Sequence, residues 1–586
     1  MHLYKHLYLC VLLLLFVNCA TYKTKYETPP LSDRPSAKEV SHTFYLIGDA
    51  GLSPIRDLNP ALKIFRDQLN TATKNSTAIF LGDNIYPAGL PDKKDSTIAY
   101  KVAKNHLDAQ LATLTNFKGH PIFIPGNHDW YNEGLVGLKR QQKYIEKKID
   151  KKNVFLPEGG CPIEEEEISD DILLVTIDSE WFLTNWDKHP TINDGCDIKS
   201  REAFFEEIES IIKKNRTRTT VIAIHHPMFT YGSHNGLYAF KKNIFPLNET
   251  LPIPIIGSLI NVIRRTSGAS MEDLQNSRYT ALRKRLVTLA QFSDRVIFTS
   301  GHEHTLQYIV EENTPQIVSG SGAKKGYTRL LNGSKFSTGH QGFATLEIYK
   351  DGSSKVRFFG LDENENEKFL FASDVLSPFR DINEDKYPEI FPSEVEASVY
   401  TEEEIDKSGF YRTIWGDRYR SYYGTKVKVP TVRIDTLFGG LVPVRKGGGH
   451  QSKSLRLRHK NGKEYVMRAL RKSAELYLQS MAFKEQYIVG DFENTYTEDI
   501  LSDFYTGAHP YAPFTIGPLS DAVGLFHTNP VLYYVPKQPA LEEFNKTFGN
   551  ELYMIEEHAG DGHGDLESFG FSNELKSTES MLEDLR

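Results

Sequence analysis

Aspartate, asparagine, tyrosine and histidine recur along the chain in five short blocks: Gly48-Asp49-Ala50-Gly51, Gly82-Asp83-Asn84-Ile85-Tyr86, Gly126-Asn127-His128-Asp129, His225-His226-Pro227 and Gly301-His302-Glu303-His304. Carboxylate, phenol, amide and imidazole are donors that suit charged metal ions. A glycine beside a donor lets the backbone turn and approach an ion closely. Taken singly the blocks say little: a lone GD is usually a turn, and HH at the end of an apolar run is more often a satisfied structural pair. Their occurrence together in this order points to one shared metal centre.

Such a centre needs rigid elements that end at each block. From Ser41 to about Gly360, short β-branched or aromatic runs alternate with longer amphipathic stretches, the pattern of strands interleaved with helices. The pattern predicts strands at Thr43–Ile47, Thr77–Leu81, Pro121–Ile124, Ile172–Ile177, Thr220–Ile224 and Arg295–Thr299, and helices at Pro60–Thr71, Ala99–Thr113 and Ser200–Lys214. Five of these strands run straight into a donor block, and ligands of α/β sheets bind at such strand ends. The sixth ends in Asp178-Ser179-Glu180-Trp181, read as a pocket wall rather than a ligand. The run Glu164–Glu167 reads as a solvated loop face.

The five blocks resemble the motifs of the calcineurin-like metallophosphoesterase superfamily over Thr43 to roughly Gly360. Tyr86 in GDNIY and the stretch His302-Glu303-His304-Thr305-Leu306-Gln307-Tyr308 are most similar to the small tartrate-resistant type of purple acid phosphatase. The resemblance implies a four-layer α/β/β/α sandwich of two mixed sheets over 41–360. It also implies two metal ions. Asp49, Tyr86 and His304 would hold Fe(III), while Asn127, His225 and His302 would hold Fe(II), Zn or Mn, with Asp83 bridging. His128 would contact the phosphate and help the leaving group depart. Two cations about 3.5–4 Å apart clamp the attacking and leaving oxygens and make hydroxide available near neutral pH. The implied reaction is attack of metal-bound hydroxide on a phosphate monoester; a phosphodiesterase or nucleotide pyrophosphatase is the alternative on the same metal pair. Asn84, His226 and His234 read either as groups facing the phosphate or as supports that orient a neighbouring ring or carboxylate. Met228–Asp294, long and containing Leu251-Pro252-Ile253-Pro254, reads as a lid or docking surface.

The remaining features bound where and with what the chain works. Its 586 residues call for two or more domains, and a net charge of −8 gives no global basic field for nucleic-acid binding beyond nucleotide substrates. A local cation must therefore draw an anionic substrate. Lys5 and the apolar run Leu7–Val17 read as an export signal over 1–19, too short to span a bilayer comfortably. Cys19 after that run, with a polar linker over 20–40, resembles the lipobox and tether of a bacterial lipoprotein, although Asn18 and Phe16 depart from the pattern; simple secretion or an uncleaved anchor stays open. The expected location is the bacterial cell envelope, on a lipid-anchored membrane surface or in the periplasm. Cys161 and Cys196 lie in Gly-containing loops, where an oxidising compartment would favour one disulfide and a reducing one two free thiols. Residues 361–586 read as a smaller α+β region, with a hairpin about Asn461-Gly462. That region resembles the middle segment of long bacterial surface proteins in which a phosphoesterase precedes an outer-membrane barrel. An outer-membrane partner, or a role as an envelope assembly module, would follow.

Overall fold

The computed structural model describes residues 20–29, 37–94, 97–239, 268, 270–331, 333–379, 386–447, 451–492, 495–560, 563–572, 575–576, 581–582 and 585. It divides into two compact units, Met1–Phe379 and Arg380–Arg586. The expected signal over 1–19, Cys19 and the Pro-rich 251–254 segment lie outside the described residues, as does much of the expected lid.

In the first unit β1 (Lys25–Tyr26), β2 (Val40–Ile47), β3 (Ser76–Phe80), β4 (His120–Phe123), β5 (Ile163–Ser169), β6 (Ile172–Ile177) and β7 (Thr219–Ile224) are followed by β8 (Val296–Ser300), β9 (Leu306–Glu311), β10 (Thr314–Ser319), β11 (Ser334–Thr338), β12 (Gly342–Tyr349), β13 (Ser354–Leu361) and β14 (Glu367–Asp374). They form two mixed sheets, β1-β11-β9-β10-β8-β7-β6-β5 and β14-β13-β12-β2-β3-β4. Alternation along each strand explains why the sheets stack. Phe44 and Leu46 of β2 join Leu174, Val221 and Ile297 of the other sheet in one buried cluster, whereas Tyr45, Ile47, Leu173, Val175 and Ile222 turn outward into a second. Leu62 and Phe65 of the helix Pro60–Thr71, Phe204 and Ile208 of Arg201–Lys214, and Leu282 and Leu286 of Ser277–Ala290 join that outer cluster. The result is a sheet-on-sheet sandwich covered by helices, with two mixed sheets as expected.

Three sequence readings need correction. Glu164–Glu167 is not a loop: it lies on β5, the edge strand paired antiparallel with β6, and a charged run on an edge discourages further strand pairing. The first unit runs on to Phe379 rather than closing near 360, because β14 pairs antiparallel with β13 through Lys355↔Asp374 to Leu361↔Glu367. Part of the supposed linker over 20–40 is built into the fold, since β1 pairs with β11 and Thr21 exchanges backbone hydrogen bonds with Thr328.

The second unit holds β15 (Glu394–Ala397) paired with β16 (Val427–Pro430), and a five-stranded antiparallel sheet. That sheet is ordered β17 (Leu441–Lys446), β18 (Ser452–His459), β19 (Glu464–Lys472), β21 (Glu551–Glu557) and β20 (Val531–Val535). Strands β18 and β19 flank the turn at Asn461-Gly462, where Gly462 takes φ 90°. Leu455, Leu457, Met467, Tyr553 and Ile555 form its core with Leu541 and Phe544. No described helix is long and apolar enough to cross a membrane.

Candidate metal centre

Asp49 stands two residues beyond β2, Asp83 and Tyr86 just beyond β3, and Asn127 opens a one-turn helix beyond β4, all on one sheet. His225 follows β7 and the pair His302 and His304 follows β8 on the other sheet. Asp49, Asp83 and His302 take φ of 55°, 54° and 64°, the left-handed region that non-glycine residues seldom adopt. Strain of this kind persists where surrounding structure over-determines it. Gly126 shows why glycine is needed beside a donor: a Cβ there would lie 2.4 Å from Asp83 Oδ1 and 2.9 Å from His225 Cε1.

The donors gather in two linked groups. Asp49 Oδ1 accepts a hydrogen bond from the Tyr86 hydroxyl at 2.7 Å and lies 3.4 Å from His304 Nε2, which is 3.2 Å from the same hydroxyl. On the other side His225 Nε2 lies 3.1 Å from Asn127 Oδ1 and 3.4 Å from Asp83 Oδ1. Ligand atoms of Asp49, Asp83 and His225 all fall within 4.8 Å of one another, which joins the two groups. The His302 ring packs 5.2 Å from that of His225, and its Nε2 donates to the Glu272 carbonyl at 2.8 Å, leaving the lone pair on Nδ1. All seven side chains named as ligands from the sequence thus come to one place.

The electrostatics fit a cation. Asp49 and Asp83 are 0 % and 2 % exposed and have no lysine or arginine ion pair among the described residues, an arrangement costly for carboxylates without a counter-charge. Burial opposes ionisation of Asp49, yet the His304 hydrogen bond and the charges of His225 and His304 hold its carboxyl below the usual range. Burial also lowers the proton affinity of His225, and Asp83 and Asp49 more than reverse it. His225 Nδ1 donates to the Leu81 carbonyl at 2.7 Å, so Nε2, facing Asn127 Oδ1 and Asp83 Oδ1, is the atom that takes up either a second proton or a metal ion. Either one places a positive charge among these oxygens. Burial, then Asp49 and Asp83, push the Tyr86 phenol far above its usual range; a highly charged ion is what would make it a phenolate.

His128 lies at the edge of the centre. Its Nδ1 meets the Pro87 carbonyl, which only accepts, so Nδ1 carries a hydrogen and Nε2, 3.9 Å from Asp83 Oδ2, faces the centre. Asn84 is turned away: its amide donates to the Ile124 carbonyl at 2.9 Å and to Asp129. His226 bonds Ser179 Oγ at 2.8 Å, and His234 pairs with Asp273 at 3.1 Å while its ring packs 4.1 Å from that of His302. These three act as supports.

Several functional groups carry no sequence signal of their own. Asp129 takes hydrogen bonds from the backbone of Gly126 and Asn84 and from Gln141, tying the second and third blocks together; its one hint is the spacing from Gly126 to Asp129, that of a helix-capping box. Burial and Asp83 push its carboxyl up to about 6. Glu303 pins the loop of His234 by accepting from the backbone of Ser233 and His234. Lys324, remote in sequence from every block, sets its ammonium 3.1 Å from the centroid of the Tyr86 ring. Burial draws it below the usual lysine range, with Asp49 and Asp83 opposing. Cys161 and Cys196 are joined in a disulfide with Cα atoms 5.5 Å apart.

A strand-end cluster of this kind on two stacked mixed sheets suits a metal-dependent phosphoester hydrolase. Residues 42–251 match the calcineurin-like phosphoesterase family; the match stops before the fifth block, which the fold brings in. Among solved structures the chain is similar to GAP50, an anchor in the inner membrane complex of Plasmodium, at 13% identity and a TM-score of 0.33, over 57% of this chain and 90% of that one. It is also similar to the purple acid phosphatase PPD1 from seeds of yellow lupin (Lupinus luteus), at 13% identity and a TM-score of 0.35, over 56% of this chain. The chain spans 53% of the length of that phosphatase. Comparison with curated proteins returned no match.

Proposed function

We propose that the first unit hydrolyses phosphate monoesters at a dinuclear centre of the purple acid phosphatase type, with Fe(III) on Asp49, Tyr86 and His304. Fe(II), Zn or Mn would sit on Asn127, His225 and His302, with Asp83 shared. The observation that carries this reading is the Tyr86 hydroxyl, buried within 2.7 Å of Asp49 Oδ1 and 3.2 Å of His304 Nε2. When bound, such an ion pair supplies Lewis acidity and a nucleophile near neutral pH. The chain's own residues do the rest. Lys324 adds the local cation that an anionic substrate needs in a protein of net charge −8. His128, held through Nδ1 by Pro87, presents Nε2 for proton donation to the leaving oxygen. Asn127 is oriented by donating to the Tyr131 hydroxyl at 2.6 Å, which points its carbonyl oxygen at His225.

Elemental analysis with a visible spectrum tests the centre: iron-loaded protein should be purple or pink, and Tyr86→Phe should lose the colour while keeping iron. Colourless wild type with stoichiometric iron refutes the purple-type assignment. Rates on an aryl phosphate and on its bis-ester separate the monoesterase from the diesterase, and no turnover of either would favour an assembly module. We further infer an exported protein lipid-anchored through Cys19 in a bacterial envelope, near an outer-membrane partner. Metabolic labelling with a radioactive fatty acid, expected in wild type and absent in Cys19→Ser, tests the anchor.

A further inference from the structure

Beside the metal centre lies a cavity of about 830 Å³, lined among others by Trp130, Tyr131, Glu180, Lys188, His189 and Arg278. Tyr131 belongs to both places, since its hydroxyl accepts from Asn127. The portion of a substrate beyond the scissile oxygen therefore has this cavity within reach.

Glu180 is the anomaly in its lining. It is 5 % exposed, its carboxyl makes no hydrogen bond among the described residues, and burial, then the acidic neighbours Asp178, Glu272 and Asp83, push it well above the usual carboxylate range. Other buried acids nearby are satisfied: Asp129 as described, and Asp178 by the Trp130 indole N–H at 2.9 Å and the Trp181 backbone N–H at 3.2 Å. The cations of the lining are engaged or remote in character. Arg278 donates to the Leu183 and Thr184 carbonyls, Lys188 is exposed, and neither forms an ion pair with Glu180. Trp130, Tyr131 and His189 line the same cavity as Glu180, and the His189 ring meets Trp130 edge-on at 5.8 Å. A buried acid without a partner, in a cavity that aromatic rings also line, is suited to a cation whose charge would favour its ionised form.

We propose that Glu180 and these rings receive a primary ammonium group on the alcohol portion of the substrate, so that the preferred monoester is an amino-alcohol phosphate. This rests on the phosphomonoesterase reading and names its substrate class. Binding forms an N–H···O contact from the ammonium to Glu180, with Trp130 and Tyr131 lining the same cavity. The phosphoryl group stays at the metal centre.

Phosphoethanolamine and n-propyl phosphate differ chiefly in ammonium against methyl. With the full-length, metal-loaded protein the expected ratio of their kcat/KM values is at least about tenfold in favour of phosphoethanolamine, a conservative floor for a site built around a polar group. Glu180→Gln should bring the ratio close to one. A wild-type ratio near one, or an unchanged ratio in the variant, overturns the proposal. Titration calorimetry with ethanolamine, against n-propanol, gives a readout without turnover and decides the matter if Glu180→Gln fails to fold. Ethanolamine binding alone supports the site, and failure to bind it refutes the site. Absence of any wild-type hydrolysis of p-nitrophenyl phosphate would instead remove the monoesterase reading, with the ethanolamine titration still judging the cavity.

Discussion

A single methyl group at Gly126 should disable the centre without touching a donor atom. Gly126 has φ −113°, which alanine adopts freely, so backbone strain plays no part. The obstacle is steric: the added carbon would lie 2.4 Å from both the backbone nitrogen and Oδ1 of Asp83, where ordinary contact begins near 3.4 Å. Asp83 or the third block must retreat by about 1 Å, a displacement that costs on the order of a hundredfold in rate when it falls on positioned groups. Overpacking of this kind adds roughly 1–3 kcal/mol of destabilisation. Gly126→Ala should therefore still fold, melt at a lower temperature, bind less than two ions per chain and lose about two orders of magnitude in kcat/KM on an aryl phosphate. Gly409→Ala, where the new methyl meets nothing within 4 Å, serves as the control. A Gly126→Ala protein with full metal content and wild-type kcat/KM would show that Asp83 is not held where the geometry puts it.

Three further outcomes are expected. Asp83→Asn should abolish turnover and weaken both metals, whereas His128→Ala should slow turnover with metal content kept, as read by elemental analysis beside kinetics. Burial pushes Asp178 from 3.8 up to about 7, so the folded chain keeps a proton that the unfolded chain has released between those values. The stability this confers is full below about pH 4 and is lost as pH rises through 7, at about 1.4 kcal/mol per pH unit. Urea unfolding of the metal-free chain at pH 5 and 7.5 should show that loss, and Asp178→Asn should flatten it. Reducing the Cys161–Cys196 disulfide, which spans a separation of 35 residues, should lower stability by about 4 kcal/mol on the chain-entropy account, seen as a fall in Tm on adding dithiothreitol.

What the sequence made legible follows from locality. The strand Ile172–Ile177 and the helix Pro60–Thr71 match the structure residue for residue, because continuous apolar runs and a Pro-started amphipathic period are local signals. The donors were legible because they gather in short blocks at strand ends, five of the seven directly beside a glycine or proline. Asp129 escaped because its work is to hold two loops together, a role defined by distant partners. Lys324 escaped for the same reason, since a lysine over a ring is a fact of three dimensions; Glu180 was read within a pocket wall and does line a cavity, but its want of a partner was not legible. Glu164–Glu167 misled because four acids in a row outweigh any periodicity, although an edge strand tolerates them. The division after Phe379 was missed because β14 is rich in charge at its start and joins its sheet through a plain hairpin.

Asp49, Asp83, Tyr86 and Asn127 hang from one sheet, and His225, His302 and His304 from the other. The spacing of an ion pair held between them is thus a gauge of how far one layer has slid across its neighbour. Core substitutions between the layers, far from any donor, would then be felt as altered magnetic coupling between the ions before they were felt as unfolding. Conversely, ions in place would rivet the layers together, so chelation should quicken amide exchange in the interior strands of both.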